Sequence, residues 1–266
     1  MFAKVPKVTL NNGLQMPFIG LGTYARKAEP SEFQRAVELG IDAGYRHIDT
    51  ATMYKNEKEV GAAISNKIKE GLVKREDLFI TTKSNGEDMK IDYIETWRGM
   101  EETVKLSLAK SIGVSNFNEE QLERLLKYAK IKPVVNQIEI NPTLTQHELV
   151  DFCKERSIVP VAYTPLGLLS EARPEFIGKD VIKTDPKLSK IAEKYGKSKA
   201  QIVLRYLIQR GIPVLPKSFT KSRIEENINI FDFELSKEDM DIVDSYNLNH
   251  RCVPGRGLEK LTYYPY

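Results

Sequence analysis

Disulfide bridges cannot organise this chain. It has two cysteines in 266 residues, Cys153 in a stretch of helical periodicity and Cys252 near the end. Two cysteines so placed are no disulfide framework, and a reducing cytoplasm is the simplest setting. No apolar run of signal-peptide length opens the sequence, and none is long enough to cross a bilayer, which points to a cytoplasmic protein with no membrane partner. The three histidines, His47, His147 and His250, are dispersed and with the cysteines offer no metal-ligand spacing. Charge of one sign is lacking too. The 40 basic residues are interspersed with 37 acidic ones, a net +3, which leaves no footprint for nucleic acid. No G-x-G-x-x-G follows the first apolar strand, which argues against a Rossmann domain.

What is present suits a packed α/β domain. Hydrophobic residues make up 41% and charged residues 29%, enough to build a core. Strand-like and helix-like stretches alternate with no linker and no low-complexity segment. That pattern implies parallel strands with helices outside, in a single domain over residues 1–266. Asn12-Gly13 predicts a β-hairpin over residues 8–17 ahead of the first buried strand. Pro30-Ser31 marks a helix start, and Phe33, Ala36, Val37 and Ile41 share that helix's inner face. The next helix turns Val60, Ala63, Ile64 and Ile68 inward. About seven main strands can be counted, the last over residues 212–215.

Chemistry concentrates at the strand ends. Gly44-Tyr45-Arg46-His47-Ile48-Asp49-Thr50-Ala51-Thr52-Met53-Tyr54 begins as a strand and ends by presenting the Asp49 carboxylate and the Tyr54 phenol. Leu78-Phe79-Ile80-Thr81-Thr82 is an apolar strand that ends at Lys83. An ammonium near a phenol favours tyrosinate and lowers a pKa that is otherwise about 10, and Asp49 can hold the lysine charged. His47 points to the same side as Asp49 and reads as an interior, hydrogen-bonded histidine. Farther along, Lys217 and Arg223 bracket a helix start, where free N–H groups and the helix dipole favour an anion.

The stretch from Gly44 to Tyr54, with Thr81-Thr82-Lys83 after it, resembles the aldo-keto reductases. The resemblance runs from the hairpin to the tail. It implies a TIM-type (β/α)8 barrel that reduces aldehydes or ketones with NADPH, and a monomer. It implies Tyr54 as proton donor, Lys83 as the group that tunes it and Asp49 as the partner of Lys83. Ser115, Asn116 and Gln137 match the polar residues that grip the nicotinamide amide, and Asn and Gln side chains supply the donors and acceptors an amide needs. Tyr163 matches the aromatic stacked under the nicotinamide ring. Gly22 and Thr23, with Thr164, Pro165 and Leu166, are further cofactor contacts on the same ground. Lys217, Ser218, Phe219, Thr220 and Arg223 match the segment around a 2′-phosphate, which favours NADPH over NADH, and Glu226 and Asn227 match the adenine contacts. Tyr24 falls where many members carry a pocket Trp. Pro254, Tyr263 and Tyr264 fall in the tail that borders the pocket.

One departure stands out. After Lys83 the family continues through a helix and a fourth strand that ends in a catalytic His. Here Asn85-Gly86-Glu87-Asp88 follows almost at once, then Glu95-Thr96-Trp97. One helix-strand unit, roughly 30 residues or more by the size of a barrel repeat, is expected to be missing after about residue 83, and the catalytic His with it. The alternatives to an active reductase are a catalytically impaired NADPH-binding isoform and a poorly folded splicing product.

Overall fold

The computed structural model describes residues 5–25, 27–84, 91–169, 181–253 and 255. The expected polar loop at residues 85–90, Pro174, Pro254, Tyr263 and Tyr264 lie outside them. Strand β1 (Lys7–Thr9) pairs antiparallel with β2 (Gln15–Pro17), Lys7 opposite Pro17. Gly13 makes the turn at φ +83°, a conformation that a Cβ would disfavour, and Asn12 accepts the Leu14 N–H at 3.2 Å. The hairpin plugs one end of the sheet. Leu10 and Met16 are buried there against Val134, Val159, Val161 and Leu215.

Seven strands follow, all in parallel ladders: β3 (Leu21–Gly22), β4 (His47–Asp49), β5 (Phe79–Thr81), β6 (Val114–Ser115), β7 (Val135–Glu139), β8 (Val159–Tyr163) and β9 (Val214–Leu215). They form two sheets, β3-β4-β5 and β6-β7-β8-β9. A seam joins these. Gly20 N donates to Val214 O at 2.9 Å, Val214 N to Phe18 O at 2.9 Å, and Gly22 N to Pro216 O at 3.0 Å. The spatial order is therefore β5-β4-β3-β9-β8-β7-β6. No ladder joins β5 to β6 among the described residues. Both of these strands are half-buried, whereas β9 is buried throughout. This is the TIM-barrel kind of α/β fold with seven strands in its parallel wall.

Among the described residues the helices are α1 (Pro30–Asp42), α2 (Glu57–Lys69), α3 (Tyr93–Lys105), α4 (Glu119–Tyr128), α5 (His147–Glu155), α6 (Val181–Thr184), α7 (Pro186–Tyr195), α8 (Lys199–Gln209), α9 (Lys221–Ile228) and α10 (Lys237–Asp244). The inner face of α1 is the expected one, but its N-cap is Glu29, with Pro30 as first helical residue. In α2 the expectation fails at Ile68, which is exposed, while Lys67 is buried. At about 100° per residue, position 67 lies nearer the line of Val60 and Ile64 than position 68 does. The Lys67 ammonium escapes the apolar layer by pairing with Asp42 at 2.8 Å and Glu70 at 2.9 Å.

The seam leaves no room for a side chain at Gly20. A Cβ there would lie 2.7 Å from both His47 Nδ1 and Leu215 Cδ2. Gly20→Ala is expected to lower stability by about 1–3 kcal/mol through overpacking. A thermal or urea melt reads this directly, and an unchanged midpoint would mean that the seam is loose.

Candidate active site

Strand β4 sends two polar side chains inward, one repeat apart. The upper one, Asp49, is 3% exposed. Its Oδ1 accepts from Lys83 Nζ at 2.7 Å and from Gln137 Nε2 at 2.8 Å, and its Oδ2 accepts from Lys83 Nζ at 2.8 Å. Lys83 also donates to the Thr50 carbonyl at 2.9 Å. Burial pushes the Asp49 carboxyl above its usual range, and Lys83 and Gln137 pull it back.

Tyr54 reaches the same place from a 3-10 turn, Thr52–Tyr54, closed by Lys55 in the left-handed region. Lys83 Nζ stands 5.2 Å from the centre of the Tyr54 ring, and the Tyr24 ring lies 5.0 Å away on another side. The sequence-based expectation of a lowered phenol pKa is reversed. Burial, then the charge of Asp49, then Tyr24 push Tyr54 above its ordinary value. An ammonium has three N–H donors, and Lys83 makes three hydrogen bonds, to both Asp49 oxygens and to Thr50. The carboxylate beside it brings a charge of the opposite sign to the phenol.

A buried strut braces the two groups. Thr23 Oγ1 donates to the Asp49 carbonyl at 2.9 Å. Asn56 Nδ2 donates to Thr23 O at 3.0 Å, and Asn56 Oδ1 accepts the Thr50 hydroxyl at 2.6 Å. Asn56 was missed in the sequence, where it reads as a helix start.

The opposite wall comes from β6, β7 and β8. Ser115 Oγ donates to the Gln137 carbonyl at 2.9 Å. Asn116, at φ +60°, accepts the Tyr163 hydroxyl at 2.9 Å. Thr164, at φ +49°, opens the turn that carries Pro165 and Leu166 away from β8. Gln137 therefore links this wall to Asp49, a contact the sequence did not suggest. The third cluster lies beyond the seam. Gly22 is held against Pro216, and a Cβ on it would come within 3.0 Å of the Leu215 carbonyl. Next to this contact Lys217 Nζ sits 4.6 Å from the centre of the Phe219 ring. Ser218 is buried and accepts the Thr220 N–H at 3.0 Å. Thr220 is the N-cap of α9 yet gives it no side-chain cap. Arg223 is exposed in the first turn of α9. Glu226 accepts the hydroxyl of Ser198, and Asn227 is buried.

The lower side chain of β4, His47, is no stand-in for a catalytic histidine at the mouth. It is buried, its Nε2 lies 3.0 Å from Thr81 Oγ1, and its ring packs edge-on to Phe79. Of the other two, His147 lies on outer helix α5 beside Asp244, and the main-chain N–H of His250 bonds to the Thr143 carbonyl. Burial pushes His47 down to about 3, with the Lys83 charge adding and the Pro17 carbonyl opposing. The unfolded chain takes up this proton near pH 6.5 and the folded chain only near pH 3. The stability is therefore complete above about pH 6.5 and falls as pH drops towards 3, by up to about 1.4 kcal/mol per pH unit. His47→Gln should flatten this acid limb, measured by urea unfolding at a series of pH values. Equal slopes in the two proteins would acquit His47.

Among the described residues no helix is long and apolar enough to cross a membrane, and no group of three or more His, Cys, Asp or Glu could hold a metal ion. The Aldo/keto reductase family model matches residues 18–92 and 86–248, two stretches that overlap. Estradiol 17 beta-dehydrogenase 5 of Mus musculus is 39% identical over 319 residues, covering 100% of this chain and 99% of its own. Prostaglandin-E(2) 9-reductase of Oryctolagus cuniculus is 41% identical, with 95% of each chain covered. Among solved structures, the Bombyx mori aldo-keto reductase AKR2E4, in complex with NADP, superposes with a TM-score of 0.93 at 38% identity, over 99% of this chain and 100% of that one. The aldo-keto reductase AKR2E5, complexed with NADPH, gives 0.95 at 39% identity, over 100% of this chain and 94% of that one. Matched on both sides of residue 90 and aligned over nearly the whole of these relatives, the chain belongs to the aldo/keto reductase family.

Proposed function

We propose that this protein reduces aldehydes or ketones to alcohols with NADPH, with Tyr54 as the proton donor. The observation that carries the reading is the Asp49–Lys83–Tyr54 group at adjoining strand ends, in a chain of this family. The donor set fits the cofactor. An uncapped helix start at α9, flanked by Lys217 and Arg223, suits a phosphate. Ser115, Asn116 and Gln137 offer amide and hydroxyl groups opposite the catalytic group, and Tyr163 offers an aromatic face. Gly22, Thr23 and the turn at Thr164, Pro165 and Leu166 line the same strand ends. Ser218, Phe219 and Thr220 shape the phosphate end, and Glu226 and Asn227 stand one helical turn farther on. When bound, NADPH supplies the hydride for the carbonyl carbon.

The chain's own residues handle the proton. Burial keeps Tyr54 a phenol at neutral pH, so a proton is always ready for the developing alkoxide oxygen. Lys83, 5.2 Å from the ring centre, offsets the negative charge left on Tyr54. Asp49 holds and aims Lys83 through both of its oxygens. Tyr24, its ring tilted 56° to that of Tyr54 and partly exposed, forms part of the wall that meets the substrate.

The reading includes the loss of one internal helix-strand unit after about residue 83 and, with it, of the family's catalytic histidine. Two observations support that. The alignment with the mouse relative runs over 319 positions, 53 more than the 266 residues of this chain. The sheet also lacks a β5–β6 ladder among the described residues. The same open side favours a second reading, an NADPH-binding form with little turnover. A cytoplasmic setting suits the two buried thiols of Cys153 and Cys252. The reading takes the protein as a monomer, as the family resemblance implies, and gel filtration tests this.

Titration of the intrinsic fluorescence with NADPH, followed by turnover on a panel of aldehydes, separates the readings. Saturable binding with turnover supports the reductase, and binding alone supports the second reading. Tyr54→Phe should lower kcat by about 100-fold or more, with the NADPH Kd unchanged. Lys217→Ala should weaken NADPH about tenfold through the lost charge-assisted phosphate contact, with NADH binding unmoved. Equal losses for both cofactors would remove Lys217 from the phosphate site.

A further inference from the structure

Glu139 is a buried carboxylate that the proposed reaction does not use. It ends β7 and is shielded from water. A buried charge is costly unless it is hydrogen-bonded. Glu139 meets that need with main-chain donors from a segment 113 residues away. Its Oε1 accepts from Cys252 N at 2.6 Å and its Oε2 from Val253 N at 2.8 Å, and Asn141 Nδ2 donates to Oε1 at 3.3 Å. Weaker ties flank this one. Leu248 N and His250 N both donate to the Thr143 carbonyl, at 3.1 and 2.9 Å. Thr145 N donates to Asn247 Oδ1 at 3.3 Å.

The place of Glu139 gives this anchor a consequence. It lies two residues beyond Gln137, so both side chains leave the same face of β7. It therefore stands about 7 Å nearer the carboxyl end of the strand. Its register partner on β8 is Tyr163, and Gln137 itself touches Asp49. What Glu139 holds lies over the carboxyl ends of β7 and β8, above Gln137.

We propose that Glu139 is a positioning residue that pins Cys252 and Val253 above Gln137, making residues 248–253 a fixed wall of the cleft that takes the carbonyl substrate. The anchoring rests on geometry alone. What the wall faces rests on the carbonyl-reductase reading. The wall acts on substrate fit and leaves the proton path untouched.

Two variants test it. Glu139→Gln replaces one accepting oxygen with an NH2 group that confronts a main-chain N–H. Glu139→Asp keeps the charge and shortens the reach by one methylene, and it carries the test if the first variant does not fold. Hydrogen exchange of the peptide spanning Cys252 and Val253 should quicken roughly tenfold in either variant, while β7 and β8 stay protected. The KM for benzaldehyde should rise about threefold to tenfold, with kcat within about twofold and NADPH Kd unchanged. Unchanged exchange overturns the anchor. Faster exchange with an unchanged KM overturns the wall. A wild-type protein that binds NADPH without turning over would refute the reductase reading, and the exchange comparison would still decide the anchor.

Discussion

The Asp49 carboxylate is the junction on which the reacting half of this molecule depends. It receives donors from the end of β5 through Lys83 and from β7 through Gln137, while its own strand carries it into the barrel. A buried carboxylate without such donors takes up a proton, and a buried lysine without such a carboxylate loses one. Lys83 and Gln137 thus oppose the upward push that burial gives the Asp49 carboxyl. The same pairing explains why Tyr54 remains a phenol. The ammonium nearest to it is already committed to Asp49, and burial penalises the phenolate. A site arranged in this way stores a proton on the tyrosine rather than a charge.

The sheet divides the work unevenly. The cluster proposed to face a phosphate, Lys217 to Asn227, adjoins the seam where Gly20 and Gly22 bring β3 against β9. That region is continuous, and β9 and most of β7 and β8 are buried. The proposed catalytic group borders β5, one of two strands with no ladder between them among the described residues. Strand edges without partners are the weak points of a sheet. Cofactor affinity and turnover thus draw on parts of the fold with different support, and the first can persist where the second suffers.

Long-range ties compensate in part. Gln137 reaches across to β4, and two residues later on the same face Glu139 reaches out to the C-terminal segment. One strand thus ties β4 at one residue and the C-terminal segment two residues later. Both ties use polar side chains whose burial is tolerable only because every contact is a hydrogen bond.

The order of elements, the hairpin, the inner face of α1 and the ends of β4 and β5 were legible in the sequence, because each rests on local spacing and turn chemistry. So were Asp49, Tyr54, Lys83 and the Lys217 segment, which stand in contiguous stretches with a family likeness. Where local spacing met a competing charge pair, as at Lys67 and Ile68, the fold chose differently. The direction of the Tyr54 pKa, the strut through Asn56, the Gln137–Asp49 bond and the anchor at Glu139 belong to the tertiary structure alone. They join positions as far as 114 residues apart, and they depend on how deeply each group is buried and on which donors are already spent. Neither quantity exists until the chain has packed.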